Sequence, residues 1–188
     1  MKPLSGIRLD VLAAAREGRL PMNEPAFVAL YSRLSGPLKG YLRRLTGNAA
    51  VAEDLLQDAF VRFLAAGRVP DDDEHRKNYL YRIATNLARD HFRREQRPTE
   101  ASSDRTEAPP DGKGDVWAVL GRLSPRDREL LVLAYVEGMT HKEMAAVTGL
   151  MRASLKPLLF RARRRFAAAL RKAGLVAPER LTSREVSS

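Results

Sequence analysis

The chain has 188 residues and a net charge of +10, from 33 lysines and arginines against 23 aspartates and glutamates. It contains no cysteine, which excludes disulfides and thiolate metal sites. Hydrophobic residues make up 44% of the composition and aromatic residues only 6%, so a helical core rich in leucine, alanine and valine is predicted. A protein this basic favours a polyanionic partner such as nucleic acid.

No run of 18 apolar residues occurs, so neither a membrane-spanning helix nor membrane insertion is predicted. Charges lie throughout the first twenty residues, which therefore lack the apolar stretch of a signal peptide. We expect a cytoplasmic protein.

The apolar pattern divides the chain into two helical segments separated by a polar stretch. Helical spacing runs through residues 24–96 and returns in residues 116–175. Residues 97–115 contain prolines and glycines among small polar residues, which is typical of a flexible linker. Residues 1–23 are predicted to form an N-terminal extension and residues 176–188 a frayed tail. The predicted fold class is all-α: two small helical domains joined by a flexible linker.

The first segment is predicted to contain three helical regions. Apolar residues at helical spacing occur on both sides of Pro37, and two further helices are expected over about residues 50–66 and 78–94. Residues 67–77 are polar and rich in aspartate, and they are interpreted as a loop with a solvated acidic turn.

The second segment carries clear helix-capping signals. Ser124 precedes Pro125, which suits the first position of a helix. Thr140 and Glu143 have the spacing of a capping box, and Gly149 is placed to end the short helix that they open. A short helix, a tight turn and a longer helix together predict a helix-turn-helix.

Ser154 is predicted to cap the third helix of this segment. Pro157 would then fall in the first turn, where no helical hydrogen bond is lost. Residues 152–178 contain eight basic residues and no acid. A helix in the major groove needs flanking cations to hold phosphates and N-terminal side chains to contact bases, so DNA binding is favoured over a merely solvated basic surface.

These patterns resemble two conserved regions of bacterial sigma factors. Residues 140–166, preceded by the Leu-Ser-Pro-Arg sequence at 123–126, are similar to the fourth region. Residues 52–60 resemble the surface that grips the β′ subunit of RNA polymerase, and residues 79–94 resemble the segment that engages the −10 promoter element. No room remains for the middle domain of primary sigma factors, which indicates the extracytoplasmic-function group.

The resemblance implies three binding surfaces, no catalytic residue, no metal site and no cofactor. It also implies three partners: the RNA polymerase core through its β′ and β subunits, promoter DNA, and an anti-sigma factor. The residues assigned to the polymerase core are Asp54, Gln57 and Asp58; those assigned to the −10 element are Tyr79, Asn86, Arg89, Arg93 and Arg94; those assigned to the −35 element are Thr140, Arg152, Ser154, Lys156, Arg161 and Arg164.

The start of the recognition helix departs from the family pattern. Where the family commonly has a Gly-Thr-Val-Lys-Ser-Arg-like run, this chain has Ala-Ser-Leu-Lys-Pro-Leu at residues 153–158. Leu158 replaces a basic residue expected to touch DNA, and leucine can contact a thymine methyl but cannot hydrogen-bond a base edge. Tyr79 stands where the family usually carries tryptophan, and it retains a stacking face.

Several alternatives remain open at this point. The acids of residues 52–60 are also typical of an ordinary helix surface, and Tyr81 and Phe92 suit core packing as well as base stacking. At the level of function, the leading hypothesis is a sigma factor controlled by an anti-sigma factor. The alternatives are a sigma-like decoy that captures an anti-sigma factor, and a helix-turn-helix regulator that does not bind polymerase. An enzyme is disfavoured, because no phosphate-binding glycine loop or paired-histidine motif is present.

Overall fold

The computed structural model of the chain describes residues 22–66, 68–95 and 114–176. Within these ranges the regular structure is entirely helical, as the predicted all-α class requires. Most of the predicted extension, linker and tail lies outside the described residues. The helices are α1 (Glu24–Thr46), α2 (Ala49–Ala65), α3 (Asp73–Glu95), α4 (Gly114–Gly121), α5 (Pro125–Tyr135), α6 (His141–Thr148) and α7 (Arg152–Lys172).

Helix α1 continues through Pro37 without ending. Proline removes one helical hydrogen bond, but Leu34 and Leu38 on either side are both buried in the same core, and their burial offsets that loss. The helix begins with the side chain of Asn23 accepting the Ala26 N–H at 3.0 Å and ends at Gly47 in the left-handed conformation.

Helix α3 begins at Asp73, five residues before the predicted start, so the predicted loop over residues 67–77 is partly wrong. The carboxylate of Asp72 accepts the backbone N–H of His75 at 2.9 Å and therefore caps the helix. Asp73 and Glu74 occupy the first turn, where negative charge is favourable. Asp71 and Asp72 lie in an exposed bend, as expected of a solvated acidic turn, and the same acidic run provides the N-terminal signal of this helix.

Helices α1, α2 and α3 pack on one another around a core that includes two buried tyrosines. The rings of Tyr41 and Tyr81 lie 5.3 Å apart, and the Tyr41 hydroxyl hydrogen-bonds the Thr85 hydroxyl at 2.8 Å. Burial raises the pKa of Tyr41 well above its ordinary value. Tyr81 is therefore a core residue and not a side chain exposed for stacking.

The C-terminal helices have the capping that the sequence predicted. The Ser124 hydroxyl accepts the Asp127 N–H at 3.2 Å, and Pro125 is the first residue of α5. Thr140 and Glu143 form the capping box of α6, and Gly149 ends that helix with φ of 73°. Helix α6, the turn after it and α7 form the predicted helix-turn-helix.

The predicted start of α7 at Ser154 is wrong, because the helix begins at Arg152 with Met151 at the cap position. Ser154 is instead the third helical residue, and its backbone N–H bonds the Met151 carbonyl at 2.9 Å. Pro157 is consequently the sixth helical residue and lies beyond the first turn. Having no N–H, it deprives the carbonyl of Ala153 of its usual helical partner, so the expectation that no hydrogen bond is lost is also wrong.

The N-terminal helices (α1–α3) and the C-terminal helices (α4–α7) pack against each other. Helix α3 lies against α6 and α1 lies against α5, and the buried apolar residues of both halves form one continuous cluster. None of the helices in the described ranges is long and apolar enough to cross a membrane.

Candidate functional site

The three residues predicted to bind polymerase lie on one side of α2. Asp54 and Gln57 are exposed and Asp58 is half-buried, while Leu55 and Leu56 are packed in the core. The spacing of three and four residues brings these side chains together on the helix surface. The arrangement offers carboxylate and amide oxygens to a basic partner helix.

The residues predicted to contact the −10 element fall into an exposed group and a partly buried group. Asn86, Arg93 and Arg94 are exposed along α3. The exposed Arg82, one turn before Asn86, extends this surface and was missing from the predicted set, although its helical spacing identifies it. Tyr79 is half-buried with its ring 6.0 Å from that of Phe63, so part of its face is already covered.

Arg89 faces the C-terminal helices, and its side chain is partly buried against them. Its guanidinium donates to the two carboxylate oxygens of Glu129 at 2.9 and 2.7 Å and to the carbonyl of Thr148 at 3.2 Å. Glu129 is only 4% exposed. Burial raises the pKa of the Glu129 carboxyl and the Arg89 guanidinium opposes that shift, so the pair forms a partly buried ion pair between the two halves.

A second polar contact joins α3 to the segment after α5. The Tyr81 hydroxyl donates to a carboxylate oxygen of Glu137 at 2.7 Å. Burial raises the pKa of Glu137, while the Tyr81 hydrogen bond and the positive charges of Arg44 and Lys77 act in the opposite direction. No sequence pattern signalled this contact or the Arg89–Glu129 pair, because the partners lie 56 and 40 residues apart.

The predicted −35 residues lie mainly on the exposed side of the helix-turn-helix. Arg152, Lys156, Arg161 and Arg164 are exposed along α7. Exposed cations on a helix are suited to binding DNA phosphates. Ser154 is half-buried.

Thr140 stands apart from this group. It is exposed at the start of α6, where its hydroxyl accepts the Glu143 N–H at 3.3 Å and donates to the Glu143 carboxylate at 2.8 Å. Its polar atoms are therefore engaged in capping the helix.

Two other residues of α7 have structural roles that the sequence did not reveal. Leu158 is half-buried and packs against the core, so its side chain contributes to the packing of α7 on the other helices. Arg165 donates to the Asp127 carboxylate at 3.0 and 2.9 Å, which ties α7 to the start of α5. Among the residues that the structure describes, no group of three histidines or carboxylates is placed to hold a metal ion.

The helix-turn-helix, with cations along its second helix and a further basic helix surface on α3, defines a helical nucleic-acid-binding protein. Comparison with known families narrows this class. Residues 30–98 match the family Sigma-70 region 2, and residues 113–166 match Sigma-70, region 4.

Individual relatives agree with the family matches. The chain is 31% identical over 137 residues to RNA polymerase sigma factor CarQ of Myxococcus xanthus, a match covering 68% of this chain and 79% of CarQ. It is 28% identical over 140 residues to the probable ECF RNA polymerase sigma factor SigI of Mycobacterium tuberculosis, covering 65% of this chain but only 48% of SigI. The solved structure of CnrH, in complex with the cytosolic domain of CnrY, has 29% identity and a TM-score of 0.63, covering 87% of this chain and 96% of CnrH.

The chain belongs to the extracytoplasmic-function sigma factors of the sigma-70 family. This membership confirms the resemblance to sigma factors that the sequence motifs indicated, because the two matched regions are the ones in which those motifs lie. It also confirms that the chain is not an enzyme, since sigma factors are transcription initiation factors without catalytic activity of their own.

Proposed function

We propose that this sigma factor carries the RNA polymerase core to specific promoters by means of three surfaces of the described helices. The polar side of α2 contacts the core, the exposed side of α3 contacts the −10 element and α7 contacts the −35 element. The observation that carries this proposal is the charge distribution, with an exposed and a half-buried carboxylate on α2 and exposed arginines on α3 and α7.

Asp54, Gln57 and Asp58 are proposed as the core-binding residues. Their position on one side of α2 suits charge-assisted hydrogen bonds with basic side chains of a partner helix in the polymerase. The opposite side of α2 is buried, which holds the surface rigidly against α1 and α3.

For the −10 element we propose Asn86, Arg93 and Arg94, extended by Arg82. A row of exposed arginines on a helix suits the backbone of a melted strand, and an amide group is able to hydrogen-bond base edges. Arg89 is able to present its whole guanidinium to this surface only after α3 separates from Glu129 and Thr148, since these two residues accept hydrogen bonds from all three of its nitrogens.

An anti-sigma factor is the proposed regulator of this chain, and the cytoplasm is its proposed location. The support for the regulator is the similarity to CnrH, whose structure is a complex with the cytosolic domain of CnrY. The support for the location is the proposed partnership with the polymerase core.

The test is run-off transcription with purified polymerase core, the full chain and the DNA upstream of its own gene. A discrete promoter-dependent transcript is expected. It should disappear with the double variant Asp54→Lys/Asp58→Lys and persist with the control Glu24→Lys, which makes one such charge reversal on the exposed first turn of α1. Failure of the wild-type chain to bind core at all would refute the proposal and favour the decoy or plain regulator instead.

A further inference from the structure

The exposed side of α7 has an apolar centre. Ala153, Pro157 and Phe160 are exposed at spacings of four and three residues, which places them in one line along the helix. Phe160 is 52% exposed, and Met151, immediately before the helix, is 76% exposed. We call these four residues the apolar stripe. It lies opposite the buried Leu155 and Leu159, so it takes no part in the core.

Exposed cations border the apolar stripe, and they include Arg152, Lys156, Arg161 and Arg164. The guanidinium of Arg164 lies 5.9 Å from the centre of the Phe160 ring, so cation and ring belong to one surface. A contiguous group of exposed apolar side chains with a polar border is typical of an interaction site, whereas single exposed apolar residues are not. The cationic border fits a polyanion that presents an apolar group between two rows of phosphates, and it suits an apolar protein surface poorly.

Duplex DNA has one apolar group of this kind in its major groove. The C5-methyl group of thymine lies there between the phosphate backbones, whereas the other groups that distinguish the base pairs in this groove are hydrogen-bond donors and acceptors. The side chains of Met151, Ala153, Pro157 and Phe160 carry no strong donor or acceptor, and the Pro157 backbone has no N–H. They are therefore suited to methyl contacts and unsuited to hydrogen-bonding a base edge.

We propose that the apolar stripe selects the −35 element by contacting thymine methyl groups, while the bordering cations anchor the flanking phosphates. The proposal rests on the proposed function, which places α7 in the major groove. It adds that the side chains of Pro157 and Phe160 determine specificity and that readout at their positions depends on the methyl group of thymine.

The test measures how binding depends on that methyl group. Polymerase holoenzyme formed with the full chain selects duplexes from a randomised library, and the selected duplexes are then made with thymine or with deoxyuridine, which lacks only the methyl. Wild-type affinity is expected to fall about fourfold for each contacted thymine replaced. In Phe160→Ser and Pro157→Ser the ratio of the affinities for the two duplex forms should fall about fourfold for each methyl contact that the substitution removes.

Two control variants separate methyl contact from general affinity. Arg161→Gln should weaken binding to both duplex forms equally, because a phosphate contact is indifferent to the methyl group. Val28→Ser removes an exposed apolar side chain from α1 and should leave both the affinity and the ratio unchanged. Helical circular dichroism of each variant establishes that the fold is retained.

The outcomes distinguish the inference from the function on which it rests. Tight, selective binding with equal wild-type affinity for thymine and deoxyuridine duplexes would overturn the role of the apolar stripe and leave the proposed function intact. The role of the apolar stripe would also be overturned if Phe160→Ser and Pro157→Ser kept the wild-type ratio of affinities for thymine and deoxyuridine duplexes. Absence of any selection by the holoenzyme would contradict both proposals.

Discussion

The ion pair between Arg89 and Glu129 is expected to hold the two halves of the molecule together, and Arg89→Met tests this. The substitution keeps much of the side-chain volume but leaves the Glu129 carboxylate, 4% exposed, without its cation. Removing one partner of a fully buried pair costs ~3–5 kcal/mol. The Arg89 side chain is 38% exposed, and solvent screening therefore reduces the expected loss to about 2 kcal/mol.

A double-mutant cycle in urea unfolding isolates this interaction. Arg89→Met and Glu129→Met are made separately and together, and the double variant should lose less than the sum of the single losses by about 1–2 kcal/mol. The control is Arg82→Met on the exposed side of the same helix, where a change within ~0.5 kcal/mol is expected. A coupling energy below ~0.5 kcal/mol would refute the view that the ion pair stabilises the packing of α3 on the C-terminal helices.

Three further substitutions test other features of the structure. Asp54→Lys should weaken pull-down of polymerase core about tenfold or more through like-charge repulsion; unchanged binding with a native helical spectrum would contradict the assignment. Burial raises the pKa of Glu137, so its contribution to stability is complete below the unfolded pKa of ~4.3 and is lost as the pH rises through the higher folded pKa. The free energy of unfolding should therefore fall with pH just above that value, and the slope should be shallower in Glu137→Gln; an identical slope would exclude Glu137 as a contributor. Pro157→Ala should raise the free energy of unfolding by about 1–3 kcal/mol by restoring the hydrogen bond to the Ala153 carbonyl, and a loss of stability in urea unfolding would show that the proline fits its site without cost.

Where a helix boundary depends on local chemistry, the sequence was a good guide. Ser124, Thr140, Glu143 and Gly149 each act through backbone groups within a few residues, and all four have the predicted roles. The prediction failed where a local capping signal competed with tertiary packing. Ser154 is a strong capping residue, yet α7 begins at Arg152, and Leu155 is fully buried from its place in the first turns of the helix. Tertiary packing here prevails over a capping preference of about 1 kcal/mol.

The sequence did not predict the contacts between the N-terminal helices and the C-terminal helices, and the reason is different. Glu129 ends a run of four charged residues at positions 126–129, and a charged residue is rarely buried unless a partner pairs with it. Its burial arises only because α5 and α6 lie against α1 and α3. Arg89 is assigned to the −10 element because residues 79–94 resemble the sigma-factor segment that engages it, and its positive charge is equally suited to an ion pair.

This packing makes the two proposed DNA-binding surfaces unequal in the free chain. The cations and the apolar stripe of α7 are exposed while the two halves are packed together. On α3, Asn86 and Arg94 are also exposed, but Arg89 donates its hydrogen bonds to Glu129 and Thr148. If promoter melting requires Arg89, binding to polymerase or DNA must supply the free energy that breaks its hydrogen bonds to Glu129 and Thr148. Only another anion, such as a DNA phosphate, stabilises the guanidinium as well as the Glu129 carboxylate does. Contact of α7 with the −35 element does not require α3 to separate from the C-terminal helices. The two promoter contacts therefore differ, because only a −10 contact that includes Arg89 depends on that separation.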